Sequence, residues 1–132
     1  MKKLLLTALL AISSFVSTHA EIHVVVSIHK QTAWLLDDAR ILLTSPVSTA
    51  RRGMHTPTGK FEVSEKDTSH ISSIYHVSMP YYMQLSGMPF GMHAGYLPGY
   101  PASHGCVRMP KDKAAMFFRT VHIGTPVRII PE

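Results

Sequence analysis

The order of hydrophobic and polar residues along the chain predicts short β-strands over most of its length. Hydrophobic residues, many of them β-branched or aromatic, alternate with polar ones in stretches that end at Gly, Pro, Ser or Asp, which is typical of strands with one buried face. Residues 65–73 are polar and are predicted to form a loop. Pro80 separates two predicted strands, because proline cannot donate a hydrogen bond to a neighbouring strand. The predicted strands are 22–27, 32–36, 40–44, 61–64, 74–79, 81–85, 88–93 and 127–130.

One segment, Pro110 to Val121, has the pattern of an amphipathic helix. Pro110 suits the first turn, and Asp112 places a negative charge near the helix N-terminus. The segment also has an apolar face, made by Ala114, Ala115, Phe117 and Phe118. A length of 132 residues fits one domain. The predicted fold is therefore mainly β, a single-domain β-sandwich or open barrel with one short helix.

Residues 1–20 have the composition of a signal peptide. Lys2 and Lys3 precede an apolar run from Leu4 to Val16, and Ala20 is a small residue at the expected cleavage point. The alternative, a membrane anchor, needs about 20 apolar residues, which is longer than this run. We therefore predict cleavage after Ala20, an exported domain at 21–132 and no stable insertion in a membrane.

The charge of the predicted mature domain is mild. Residues 21–132 contain eleven basic and eight acidic residues, a net charge of +3. They contain no stripe of Lys and Arg, so no nucleic-acid binding is predicted, and the charge suits work beside an anionic cell wall. We expect a monomer that needs no metal or other cofactor.

Cys106 is the only cysteine, so an exported chain cannot use it for an internal disulfide. Free cysteines are often buried as small hydrophobic residues. The glycine before Cys106 and its polar neighbours argue against that role and favour a nucleophile. A thiol with a pKa of about 8.5 needs a base or a positive environment to react at neutral pH. His93 and His104 lie in the same short segment and could supply the base.

The segment between His93 and Cys106 contains prolines and glycines that stiffen it and let it turn, at Gly95, Pro98, Gly99 and Pro101. Such a loop is expected to fold His93 against Cys106. His104 is the alternative base, but a residue two positions before the nucleophile is poorly placed to reach over its sulfur. Otherwise His104 would fix the loop or contact substrate.

The motif M-H-A-G followed by S-H-G-C-V-R-M, residues 92–95 and 103–109, resembles the catalytic motif of the L,D-transpeptidase (YkuD-type) family. P-V-S-T at 46–49 and H-T-P-T-G-K-F at 55–61 are weaker resemblances to the same family. The gap between His93 and Ser103 is shorter than is usual there. The resemblance implies a cysteine that is acylated by a peptidoglycan stem peptide, and a base, His93, that is oriented by the backbone carbonyl of Ala94.

The other predicted site residues surround this pair. The backbone N–H groups of Gly105 and Cys106 are the expected oxyanion donors. Arg108 would bind a substrate carboxylate or form an internal ion pair, and Ser103 would stabilise the turn or contact substrate. Tyr82 would line a substrate groove or pack within a strand.

Three alternatives compete with acyl transfer to another stem peptide in the periplasm or cell wall. The same Cys–His pair could hydrolyse the thioester, which would make the domain a carboxypeptidase or endopeptidase. His93, His104 and Cys106 are possible zinc ligands, although their spacing matches no standard zinc pattern. A non-catalytic wall-binding module is the third, and the intact Cys–His pair argues against it.

Overall fold

The computed structural model describes residues 21–132, together with Ala8 and Ala11. Apart from these two alanines, the predicted signal peptide at 1–20 lies outside the described residues. Within the described part, no helix has the length and apolar character needed to cross a membrane.

Residues 21–132 form eight β-strands and one α-helix. Their bounds are β1 Ile22–Ser27, β2 Thr32–Asp37, β3 Arg40–Pro46, β4 Gly59–Ile71, β5 Ser78–Leu85, β6 Gly91–Ala94, β7 Val107–Met109, α1 Lys111–Thr120 and β8 Pro126–Ile130.

The strands follow the order β3-β2-β1-β8-β4-β5-β6-β7. The long strand β4 belongs to both halves of this order, since residues 59–62 pair with β8 and residues 63–71 pair with β5. The two ends of the order meet through single bridges from the segment after β3, which join Ser48 to Arg108 and Ala50 to Ser103. The eight strands of residues 21–132 form one sheet accompanied by a single helix, which confirms the predicted mainly β fold with one short helix.

Successive residues on β5, β6 and β7 point alternately to the two faces of the sheet. One face joins the hydrophobic core and consists of Met83, Leu85, Met92, Ala94, Val107 and Met109. Helix α1 packs on this face through Ala114 and Phe117. By the same alternation, the opposite face carries Tyr82, Gln84, His93 and Arg108. The helix therefore supports the site from behind, through the core.

The N-terminal hairpin and the helix match their predictions to within about two residues, but the central region does not. The loop predicted at 65–73 is wrong, because β4 continues to Ile71. This part of β4 is polar because most of its side chains lie in solvent, so hydrophobic alternation is absent. The strand predicted at 74–79 is also wrong over 74–77, which form the turn that returns the chain to β5.

Pro80 does not divide a strand as predicted. Strand β5 runs continuously from Ser78 to Leu85, and Pro80 pairs with Ser69 of β4. β6 pairs with β5 only at Met83 and Gln84, so Pro80 lies at the sheet edge on that side, where a missing donor is tolerated.

Strand β7 was not predicted, and β6 is shorter than the predicted strand at 88–93. The two are parallel neighbours, joined by the connection 95–106. Parallel strands need a crossover of about a dozen residues or more, which this proline-containing segment supplies. His93 is therefore placed by strand pairing rather than by the loop folding back over the cysteine.

Candidate active site

The pairing of β6 with β7 sets the positions of the two predicted catalytic side chains. His93 pairs with Arg108, and Met92 pairs with Val107, so one further step of the register places Gly91 opposite Cys106. Side chains two residues apart on a strand share a face. His93, Arg108 and Cys106 accordingly face the same side, where His93 and Cys106 line one cleft.

His93 is held in one orientation by the backbone of its neighbour. Its Nδ1 lies 2.7 Å from the carbonyl oxygen of Ala94. A carbonyl only accepts, so Nδ1 carries the hydrogen and Nε2 has a free lone pair. His93 is 4% exposed. Nε2 is buried and has no hydrogen-bond partner among residues 21–132. A buried polar atom without a partner is costly, which is typical of an atom kept for chemistry.

Cys106 is 9% exposed and forms no disulfide. Burial raises the pKa of its thiol, while a hydrogen bond from the backbone of Gly91 and the charge of Arg108 both lower it. For His93, burial lowers the pKa; its bond to Ala94 opposes this, and the charges of Arg108 and His70 add to the lowering. Both directions favour the uncharged forms, so the cleft holds a neutral thiol and a neutral imidazole that are not hydrogen-bonded to each other.

Two hydroxyl groups fix the backbone around the cysteine. Thr56 Oγ1 donates to the carbonyl of Gly105 at 2.8 Å, and Ser103 Oγ donates to the carbonyl of Cys106 at 2.6 Å. The N–H of Gly105 donates to Ser103 Oγ at 3.1 Å. Each peptide group of the turn that carries the thiol is therefore oriented by a buried side chain. Ser103, which is 1% exposed, is occupied within the turn rather than directed at a ligand.

These bonds bear on the two predicted oxyanion donors. The Gly105 N–H is already bonded to Ser103 Oγ. In a trans peptide the N–H points opposite to the carbonyl, so the bond from Thr56 to the Gly105 carbonyl turns the Cys106 N–H the other way. Thr56 does not line the cleft. The Gly105 N–H is therefore already used within the turn, whereas the Cys106 N–H points away from the side of the turn that Thr56 contacts.

Two clefts flank Cys106. The larger has a volume of about 290 Å³ and includes His93, His104 and Arg108 in its wall. The smaller has a volume of about 180 Å³ and includes His70, Tyr82 and Gln84. Both clefts share the walls formed by Tyr75, Met79, Phe90 and Cys106. The thiol can thus be approached from two directions.

Two further predicted site residues, His104 and Arg108, have different contacts in the structure. The His104 ring stacks on Tyr75, from the β4–β5 turn, with ring centroids 4.2 Å apart. Neither ion pair among residues 21–132, Arg40–Asp37 and His70–Asp67, includes Arg108, so the internal ion pair considered above is not formed there. Arg108 lines the larger cleft, and among residues 21–132 its guanidinium makes one long hydrogen bond, 3.5 Å, to the Tyr96 carbonyl.

Tyr82 is buried beside the thiol and lines the smaller cleft rather than the larger one. Its ring stacks on His70 at 4.0 Å, and its hydroxyl donates to Gln84 Oε1 at 2.7 Å. Burial, followed by the nearby charges of Cys106 and Glu65, raises the pKa of Tyr82, so the hydroxyl stays protonated.

The described residues do not support the alternative of a zinc site. Across the described chain, no three His, Cys, Asp or Glu side chains are grouped in a way that could hold a metal ion. His93 Nδ1 is bonded to a carbonyl, and the His104 ring is stacked on Tyr75.

Three residues that shape the site were not identified from the sequence. Thr56 lies in the H-T-P-T-G segment, where only the turn residues gave a signal. Gly91 fits against the ring of Tyr82, and Gln84 bonds to that residue's hydroxyl. Their roles depend on contacts between distant segments, which hydrophobic periodicity does not encode.

The close packing behind the nucleophile gives a first prediction. A Cβ on Gly105 would lie 2.7 Å from the Phe90 ring, at a φ of +147°, whereas one on Gly99, at a φ of +97°, would meet nothing within 4 Å. Gly99→Ala is therefore a matched control that carries backbone strain alone. We expect Gly105→Ala to lower the free energy of unfolding by roughly 3 kcal/mol and Gly99→Ala by roughly 1 kcal/mol. Urea unfolding measures both, and equal losses would contradict the packing described here.

Comparison with known proteins places this arrangement in a family. A family model described as the L,D-transpeptidase catalytic domain, YkuD, matches residues 21–129. The chain is 24% identical over 123 residues to L,D-transpeptidase 1 of Mycobacterium tuberculosis strain H37Rv, a match that covers 80% of this chain and 49% of that protein. The chain thus spans about half the length of this curated relative.

Solved structures of L,D-transpeptidases also resemble this chain. An L,D-transpeptidase from M. tuberculosis H37Rv superposes with a TM-score of 0.77 at 26% identity, over 84% of this chain and 58% of that one. L,D-transpeptidase 3 of M. tuberculosis, in complex with a faropenem-derived adduct, gives a TM-score of 0.78 at 24% identity, over 86% and 61% of the two chains. The second likeness shows the fold alone. Because the family model spans nearly all of the described residues, we conclude that this chain belongs to the L,D-transpeptidase catalytic domain family.

Proposed function

We propose that the domain is a cysteine-dependent L,D-transpeptidase that forms or remodels peptidoglycan cross-links through a thioester on Cys106. The observation that carries this proposal is the free, buried Nε2 of His93 in the same cleft as the chain's single thiol. A base with an open lone pair and a nucleophile that line the same cleft are the minimum that covalent acyl transfer needs.

In the first step, Nε2 of His93 takes the Cys106 proton as the sulfur attacks the carbonyl of the diamino acid in a tetrapeptide stem. The C–N bond to the terminal D-Ala then breaks, and the His93 imidazolium gives its proton to the leaving amine. The bond from Nδ1 to the Ala94 carbonyl stabilises the imidazolium and fixes the orientation of the ring, so that Nε2 is the nitrogen left for proton transfer. The product is a thioester, and the base returns to its neutral form.

The carbonyl oxygen becomes negative during this attack. The Cys106 N–H is the proposed donor to it, because the bond from Thr56 to Gly105 fixes that peptide group before substrate arrives. One such preorganised donor contributes about 3 kcal/mol in known enzymes. Gly105 supports this donor through its peptide carbonyl and its conformation. Its own N–H is already hydrogen-bonded to Ser103 Oγ.

In the second step, an amine from a neighbouring stem attacks the thioester and the C–S bond breaks. His93 removes the amine proton and returns it to the Cys106 sulfur, which restores the neutral thiol. The two clefts that meet at Cys106 give donor and acceptor separate approaches to the sulfur. Water in place of the amine would give hydrolysis, so carboxypeptidase and endopeptidase activity differ from transfer only in the acceptor.

We assign substrate contacts to the walls of the larger cleft. Arg108 is its cation, placed to receive a carboxylate of the stem, and a bidentate Arg–carboxylate pair is strong when partly desolvated. His104 contributes a wall through its stack on Tyr75. Ser103 and Tyr82 shape the cysteine turn and the smaller cleft and do not present free hydroxyls to substrate.

The substrate class implies where the domain works. We infer that residues 1–20 direct export and are removed, which would place the domain in the periplasm or cell wall as a monomer without a cofactor. The mild positive charge of residues 21–132 suits contact with an anionic wall.

Muropeptide analysis tests the function. Purified protein is incubated with cell wall that is rich in tetrapeptide stems, and the digested products are separated. New cross-links between diamino acids are the expected result. Stems that are only shortened would identify a hydrolase, and unchanged products would contradict both activities.

The resting protonation states give a prediction on pH. Because burial lowers the pKa of His93, acylation should lose activity on the acid side only below pH 6.5, the ordinary value for histidine. Because burial raises the pKa of Cys106, alkylation of the free enzyme by iodoacetamide should increase mainly at alkaline pH. A resting thiolate–imidazolium pair would instead give rapid alkylation at neutral pH that persists well below pH 6.5, because the thiolate is then lost only at acid pH.

A further inference from the structure

The side chain of Gln84 ties together the segment that lies against the thiol. Its Nε2 donates to the carbonyl of Met88 and, at 3.1 Å, to that of Phe90, with a longer contact of 3.3 Å to Leu85. Its Oε1 accepts from the Tyr82 hydroxyl at 2.7 Å. Both ends of the amide are therefore used, and they join β5 to the turn that leads into β6.

The clamped turn delivers two groups to Cys106. Directly after Phe90, Gly91 lies opposite Cys106 in the register of β6 and β7, and hydrogen bonding from its backbone lowers the pKa of the thiol. The Phe90 ring is a wall of both clefts and packs so closely on Gly105 that a Cβ there would lie 2.7 Å away. The position of the Phe90–Gly91 segment thus affects both the ionisation of the thiol and the shape of its surroundings.

The geometry leaves little room for this segment to shift by itself. Gly91 pairs with Gln84 across the two strands, and a Cβ on Gly91 would lie 2.4 Å from the Met83 carbonyl and 2.9 Å from the Tyr82 ring. The same Tyr82 is bonded to Gln84, and its ring lies 6.2 Å from that of His93. One amide therefore fixes both Tyr82 and the Phe90–Gly91 segment next to Cys106.

We propose that Gln84 is a positioning residue of the acyl-transfer site, which holds the Gly91 N–H against the Cys106 sulfur and the Phe90 ring against the cysteine turn. It acts through these two residues and does not touch the reacting atoms. The inference concerns the site assigned above, but the thiol titration that tests it requires no turnover. Its failure is therefore distinguishable from failure of the proposed function.

The test is the pH dependence of Cys106 alkylation by iodoacetamide in wild-type protein and in Gln84→Met, which keeps the length of the side chain and removes both ends of the clamp. Loss of the hydrogen bond from Gly91 should raise the apparent pKa of the thiol. Alkylation at pH 7 should slow by about three- to tenfold, since one pKa unit is a tenfold change in thiolate. Gln84→Asn keeps the amide but shortens the side chain, so it should give an intermediate shift, and it replaces Gln84→Met if that variant fails to fold.

Val24→Ala is the matched control for lost stability. Val24 is fully buried in β1, away from the thiol, so its truncation should lower the melting temperature without moving the alkylation profile. A purely structural role for Gln84 would give the same pattern as Val24→Ala. A Gln84 variant that melts earlier but titrates like wild type would overturn the proposal, as would a control that shifts the thiol equally.

Discussion

Replacing Cys106 with alanine is expected to abolish cross-link formation, with a loss of at least about 10⁴-fold in rate. No thioester can form without the sulfur, and residual catalysis by the oxyanion donor and by binding alone is small in enzymes of this kind. Muropeptide analysis under conditions where the wild type forms cross-links measures the loss.

Cys106→Ser is the companion variant for this experiment, since it keeps the volume of the buried side chain but presents a much weaker nucleophile. Both variants should fold, because the turn is held by Thr56 and Ser103 through backbone carbonyls rather than through the sulfur. If Cys106→Ala remodels the wall as well as its parent, the assignment of the nucleophile is wrong.

Replacing His93 with glutamine is expected to reduce the acylation rate by about 10³-fold, because an amide cannot accept and return the thiol proton. The glutamine side chain is close to the histidine in length, so the loss should be chemical rather than a collapse of the cleft. Acylation by a stem peptide, measured in single-turnover experiments, is the direct readout.

His104→Gln decides between the two histidines. His104 stacks on Tyr75 at the cleft wall, and we expect its replacement to cost less than about tenfold in acylation. A loss at His104 that equals or exceeds the loss at His93 would show that the base had been assigned to the wrong imidazole.

The parts of the fold that were predictable from sequence are those where burial on one face imposes alternation. Strands β1, β2 and β8 and the helix each have a buried face, and they were located within about two residues. Strand β4 beyond Val63 has mostly exposed side chains, so its polar sequence resembled a loop. Strand β7 has three residues, too few for any period to appear.

Some residues of the candidate site could likewise be predicted from the sequence, and others could not. Cys106 and His93 were identified because their chemistry is local to one motif, and both line the larger cleft. The contacts that orient them come from elsewhere in the chain. Thr56 reaches Gly105 from 49 residues away in sequence, and Gln84 acts on Gly91 across a strand pair. Such contacts follow from topology, which composition and periodicity do not specify.

Mass spectrometry of the intact protein after incubation with a carbapenem tests the reactivity of Cys106 most directly. The β-lactam carbonyl is an acyl donor that needs no wall fragment. We predict one adduct per chain, located on the peptide that contains Cys106 and absent from Cys106→Ala. Unmodified protein, in samples where iodoacetamide still labels the thiol, or an adduct on another residue, would contradict the central claim.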